Sequence, residues 1–227
     1  GLYLEWIDTR GRVKTWPMPK ELTVGDGVEA IKHLAANGLG FKYGDGGRKV
    51  LDYIISSPVT DLMTCSDRTG WVNGVYVTPK KTYGLNADKY IYQPLHNVES
   101  EIGQAGTLAD WQAHIARYAK NNPLLMVAIS LAFAGPLLEK AGLMGFGVHL
   151  HGLSGDGKTT TLRAAAGCWG GANWQQWLST AVGIEGSAYA HNDNILCLDE
   201  IGEATAQTVS ATAYALANGE GKRRGGR

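Results

Sequence analysis

Apolar and polar positions alternate with period two at the start of the chain and recur at helical spacing further on. LYLEWID and RVKTWPM flank Thr9-Arg10-Gly11, a pattern that predicts a β-hairpin. Between Gly27 and Ala36 the apolar positions Val28, Ile31, Leu34 and Ala35 form one helical stripe, which Asn37-Gly38 ends as a C-cap. Lys49 to Ser56 predicts a second helix, stopped by Pro58. TGWVNGVYVTP reads as a hairpin around Asn73-Gly74, because both central positions of a tight I′ turn need a positive φ. Residues 79–106 are rich in Gly, Asn and Pro and read as irregular surface or linker. These short elements suggest an α+β domain over residues 1–106.

Longer elements follow. Thr107 is placed to N-cap a helix running to about Lys120, with Leu108, Trp111, Ile115 and Tyr118 on its apolar face. Asn122-Pro123 opens another helix, with proline at the first helical position, where its missing N–H costs nothing. The apolar run PLLMVAISLAFAGPLL is shorter than the roughly 20 residues a bilayer requires, and Gly135-Pro136 interrupts it, so it reads as a buried core helix with Gly142 as its stop. Phe146 to Leu150 predicts a strand, 152–159 a glycine loop and 159–168 a helix. Asn173 to Leu178 predicts a second strand, Ile184 to His191 a helix, Ile195 to Leu198 a buried strand, and Glu203 to Ala217 a helix ended by Asn218-Gly219. Strands alternating with helices point to an α/β domain over residues 107–227.

Within it, Gly152-Leu153-Ser154-Gly155-Asp156-Gly157-Lys158-Thr159 fits the pattern G-x-x-x-x-G-K-[ST]. Glycines at these positions let successive backbone N–H groups turn inward on phosphate oxygens, and the following helix adds the positive end of its dipole. Lys158 is spaced to reach the β- and γ-phosphates, Thr159 to complete the coordination of Mg²⁺, and Thr160 to extend the ATP-binding segment. The frequencies of Gly, Lys, Ser and Thr in this chain give roughly a 2% chance of one accidental match. The flanking strand and helix lower that chance further.

Ile195-Leu196-Cys197-Leu198-Asp199-Glu200 is the second informative run. Four apolar residues and then two acids describe a central parallel strand whose C-terminal tip carries carboxylates, on the sheet edge where α/β folds bind ligands. Asp199, 41 residues after Lys158, is expected to hold Mg²⁺ through water, and Glu200 to orient or deprotonate the attacking water. Lys158 and Glu200 are thus the candidate catalytic residues, and Thr159 and Asp199 the candidate metal-site residues. A water acceptor argues against a kinase.

Other polar residues leave alternatives open. His149 and His151 share one face, either as core or strand-end histidines or as an incomplete metal pair. His191-Asn192-Asp193 lie at the opposite end of the acidic strand, about 16 Å from Asp199, and are poorly placed to touch a γ-phosphate. Ser179-Thr180 either approach the nucleotide or cap the next helix. The seven tryptophans are scattered, so core packing is their default and base stacking the alternative.

Charge narrows the partners. Lys and Arg total 21, Asp and Glu total 21, and the formal net charge is zero, so nucleic acid must be met by a local cluster rather than by the field of the whole molecule. Lys222, Arg223 and Arg224, with Arg227 nearby, are the one dense basic cluster: a solvated tail or a phosphate-contacting loop. Cys65, Cys168 and Cys197 form no CxxC pair and fit a reducing, cytoplasmic compartment. No signal peptide, no membrane span and no initiator Met are visible, and the end at Lys222 to Arg227 carries no closing element, which suggests a piece of a longer polypeptide.

The chain also resembles the family catalogued as domain of unknown function 927, found in phage, plasmid and mobile-element primase–helicase proteins. WPMPKEL, DRTGWVNGVYVTP and AGTLADWQAHIARYAKNNPLL carry the resemblance in the first part. AFAGPLLEKAG, GVHLHGLSGDGKTTTLRAAA, GIEGSAYAHNDNILCLDEIGEA and YALANGEGKRR carry it in the second. The resemblance implies an ATPase or helicase with an AAA+-like P-loop NTPase core similar to minichromosome-maintenance helicases. That core is a three-layer parallel-sheet fold, incomplete at its C-terminus here and preceded by the smaller α+β domain. It further implies ATP and Mg²⁺ as cofactors, single-stranded or forked DNA as partner, and a homo-oligomeric ring. The P-loop roles fall on Lys158 and Thr159 and the acidic pair on Asp199 and Glu200. Gly155-Asp156 departs from the family, which is more often Ser-rich there, and no sensor residue or arginine finger can be placed before residue 227. A P-loop switch and a non-catalytic DNA-binding assembly module are the alternative functions.

Overall fold

The computed structural model describes residues 1–42, 44–59, 61–94, 102–170, 175–177 and 181–218. β1 (Leu2–Ile7) and β2 (Val13–Met18) form the expected antiparallel hairpin, with Leu4 opposite Trp16. Its turn is organised by buried Asp8, whose carboxylate accepts the N–H groups of Arg10 (2.8 Å) and Arg12 (2.9 Å) and the Arg12 guanidinium. Met18 packs with Ala30 of α1 (Val28–Ala36) and Leu51 of α2 (Gly46–Ser56) to form the first core cluster.

β3 (Thr64–Ser66) is followed by the Asn-Gly hairpin of β4 (Gly70–Val72) and β5 (Val75–Val77). Asn73 and Gly74 take φ of 51° and 82°, as a I′ turn demands. The span 79–106 is more structured than its composition suggests: β6 (Thr82–Tyr83) joins β5, and β7 (Tyr90–Tyr92) pairs in parallel with β3. Val75, Val77 and Tyr92 form a second core cluster there. The pairing is long-range, and glycine and asparagine content reports turns without reporting what lies between them.

Thr107 N-caps α3 (Leu108–His114) in a full capping box with Asp110. The helix breaks at Ile115, and a 3-10 turn, Ala116–Ala119, replaces the expected continuation to Lys120. Leu108 and Tyr118, expected on the covered face, are exposed. α4 (Pro123–Leu138) starts on the side chain of Asn122 and runs straight through Pro136. A proline removes the N–H that would bond the carbonyl four residues back. That carbonyl, on Ala132, accepts the indole N–H of Trp169 instead (2.8 Å), and the Pro136 carbonyl accepts the indole N–H of Trp71 (2.7 Å). α4 is buried on one side only, through Ala128, Ala132 and Gly135; Phe133 and Leu137 are exposed.

α5 (Lys158–Ala166), α6 (Ala181–Ala190) and α7 (Ala206–Asn218) are the remaining α-helices among the described residues. Ala128 and Ala132 of α4 pack on Ala165 of α5, with Cys168, Trp169 and Ile195 around them. β8 (Gln175–Gln176) and β9 (Leu198–Asp199) pair in parallel, Gln176 opposite Asp199. The described residues thus form small two- and three-stranded sheets rather than the single parallel sheet of the expected three-layer core. The expected strand Phe146–Leu150 is not formed. Phe146 and Val148 are exposed, and no strand among the described residues pairs with the segment. A strand buried on both faces needs neighbours on both edges to satisfy its backbone.

A polar dock joins residues on either side of the boundary expected at Gly106. The Asp193 carboxylate accepts the Trp71 N–H (2.8 Å), and the Tyr76 hydroxyl donates to the Asp193 carbonyl (2.9 Å). Thr69 donates its N–H to the Tyr189 carbonyl (3.0 Å), and Asn192 donates to the Thr69 carbonyl (3.1 Å). No helix among the described residues is long and apolar enough to cross a membrane.

Candidate phosphate-binding site

The loop 152–157 turns on Gly155 (φ 89°) and Gly157 (φ 79°), and Gly157 delivers the chain into α5. Both values lie in the left-handed region, which favours glycine. Lys158, the first residue of α5, curls back across the loop, and its ammonium donates to the carbonyls of Gly152 (2.9 Å) and Leu153 (2.7 Å). Asp156 closes the loop from the other side: its carboxylate accepts the Leu153 N–H (2.7 Å) and its own N–H donates to the Leu153 carbonyl (3.3 Å). Leu153, Ser154, Gly155 and Asp156 are exposed, so the loop opens to solvent. Thr159 and Thr160, also exposed, occupy the first turn of α5, where amide groups have no carbonyl partner within the helix. A cationic ammonium and free first-turn amides together favour an anion.

Asp199 ends β9 and is half-buried. Its carboxylate accepts the Glu200 N–H (2.9 Å), and its carbonyl accepts the Trp177 N–H (3.1 Å). Glu200 is exposed and takes φ 61°, an unusual backbone for a non-glycine residue, at the N-cap of the 3-10 turn Ile201–Glu203. The run before Asp199 leans on α5. Ile195 packs on the Ala128–Ala132–Ala165 cluster, and the Cys197 thiol lies 3.9 Å from the Leu162 carbonyl. Burial pushes both Cys197 and Cys168 up to about 11.

His149 and His151 are exposed, with ring centroids 6.4 Å apart, so neither is a core histidine; the described residues contain no group of three metal-ligating side chains. Asn192 and Asp193 serve the dock, a role that sequence reasoning missed because their partners lie more than 110 residues away, while a ring nitrogen of His191 lies 2.8 Å from the Ser187 carbonyl. Asp156 belongs to the loop pattern expected to bind ATP and also departs from the family there; its spacing of three from Leu153 is the signal for the side chain-to-backbone bond. Ser179, Thr180, Trp174, Lys222, Arg223, Arg224 and Arg227 lie outside the described residues.

The segment thus joins a solvent-open glycine loop, bridged by Lys158 and leading into α5, to a short strand that ends in Asp199. The chain belongs to the family described as Domain of unknown function (DUF927), whose sequence model matches residues 1–227. Among curated proteins no match to the chain is found.

Proposed function

We propose that the chain binds ATP·Mg²⁺ on residues Gly152 to Thr160 and hydrolyses it, as the motor part of a DNA helicase or primase–helicase. The observation that carries the nucleotide reading is the Lys158 crossbar over a glycine loop that leads into a helix N-terminus. The acidic pair is supported by direction. From Ile195 to Cys197 the contacts move from the Ala165 cluster to Leu162, toward the start of α5. Two more strand residues continuing in that direction would advance about 6.6 Å, or four to five residues of helix, and would set Asp199 level with Lys158 and Thr159. In that position Thr159 and Asp199 would hold the metal, Asp199 through water, and Glu200 would orient the attacking water.

The test is direct. Lys158→Ala deletes the charge that faces the β- and γ-phosphates, and titration with a fluorescent ATP analogue is expected to show most affinity lost. Undiminished binding removes the assignment. Glu200→Gln is expected to keep that binding while turnover, read as phosphate release, falls at least a hundredfold. Normal turnover places the catalytic carboxylate elsewhere.

DNA as partner, the ring assembly and an origin in mobile elements are supported by sequence resemblance. Lys222, Arg223 and Arg224 are the proposed phosphate contacts. Their replacement by alanine is expected to lower the salt slope of single-stranded DNA binding by about 0.7 per lost contact. An unchanged slope makes the cluster a solvated loop.

A further inference from the structure

We propose that Asp156 is a built-in counter-anion of the loop, holding it closed when empty and making it discriminate against metal-free nucleotide. The inference rests on the nucleotide reading above and deepens it. The loop's first peptide groups are gripped by opposite charges. The Asp156 carboxylate takes the Leu153 N–H at 2.7 Å, while the Lys158 ammonium takes the Gly152 and Leu153 carbonyls at 2.9 and 2.7 Å. Gly152 makes room for this: a Cβ there would lie 2.7 Å from the same carboxylate oxygen. The anion stands two residues before Lys158, on the loop whose amides would receive phosphate.

Two consequences follow from charge alone. A triphosphate entering the loop meets a fixed negative charge and must draw the ammonium away from two carbonyls. Mg²⁺ cancels part of the ligand's charge, so the penalty is greater for free ATP than for ATP·Mg²⁺. A neutral hydroxyl at the same position would keep the bond to Leu153 without the repulsion. The charge, and not the hydrogen bond, is thus the feature under test.

The experiment titrates the chain with ATP by calorimetry, once with Mg²⁺ and once with EDTA, for the wild type, Asp156→Ser, Asp156→Asn and Lys158→Ala. Position 156 is exposed, so folding is expected to survive, and circular dichroism checks it. Asp156→Ser and Asp156→Asn are expected to tighten metal-free ATP at least fivefold and ATP·Mg²⁺ by clearly less, narrowing the ratio between the two forms. An unchanged ratio in both variants overturns the proposal and leaves Asp156 as a loop-shaping hydrogen bond. Weaker binding in both also overturns it. If Lys158→Ala binds as the wild type does, the nucleotide reading fails as well, which that arm alone reveals.

Discussion

Asp8 shows how much one side chain can organise. Its folded pKa is lowered from 3.8 to about 2, chiefly by the Arg12 backbone N–H, with further help from the Arg12 side chain and the Arg10 N–H. A carboxyl lowered on folding contributes stability above its unfolded value and loses it as pH falls through the folded one. The window is therefore from about pH 4 down to about pH 2. Asp8→Asn is expected to lower the melting temperature at pH 7, with the gap to the wild type shrinking below pH 4; a gap independent of pH would mean the charge contributes nothing. The thiols divide in the same way. Cys168 and Cys197, raised to about 11 by burial, are expected to resist iodoacetamide at pH 8, while exposed Cys65 reacts. Mass spectrometry of the folded chain showing three adducts at comparable rates would contradict that burial.

Among the elements, those set by neighbours in sequence were legible and those set by distant partners were not. Asn73-Gly74, the Thr107 cap, the Asn122-Pro123 start and the curl of the glycine loop all close within a few residues. The approach of Cys197 to α5, the strand expected at Phe146–Leu150 and the β3–β7 pair depend on what lies alongside, which a local pattern does not encode. Pro136 is the instructive case. Read locally it interrupts a helix; in the fold its orphaned carbonyl partner, Ala132, is matched to Trp169. Trp169→Phe leaves that buried carbonyl unpaired and is expected to cost about 1–3 kcal/mol in chemical denaturation. In a Pro136→Ala background the helix supplies its own N–H, so the same change is expected to cost less. Equal costs in the two backgrounds would show that the indole N–H does not serve this carbonyl.

At the scale of the whole molecule, the dock between the β4–β5 hairpin and the turn at Asn192-Asp193 ties the first part of the chain to the run that ends in Asp199. The turn itself is close-fitted: Asp193 takes φ 52°, and Gly135 of α4 passes so near Asn194 that a Cβ there would lie 2.8 Å from its Cα. Gly70 stands at the centre of the dock. It holds φ 94°, and a Cβ on it would collide with the Asp193 carboxylate and lie 2.7 Å from the Asn192 carbonyl. Gly74 gives the matching control, with φ 82° and open space around it. Alanine at either position strains the backbone by about 1–2 kcal/mol. Only Gly70→Ala also forces the dock apart, with its hydrogen bonds worth about 0.5–1.5 kcal/mol each. Gly70→Ala is therefore expected to destabilise the chain by at least about 2 kcal/mol more than Gly74→Ala. Its calorimetric unfolding is also expected to broaden or split as the two parts come uncoupled. Equal losses at Gly70 and Gly74, with a single sharp transition in both, would mean that the two parts fold without help from this contact.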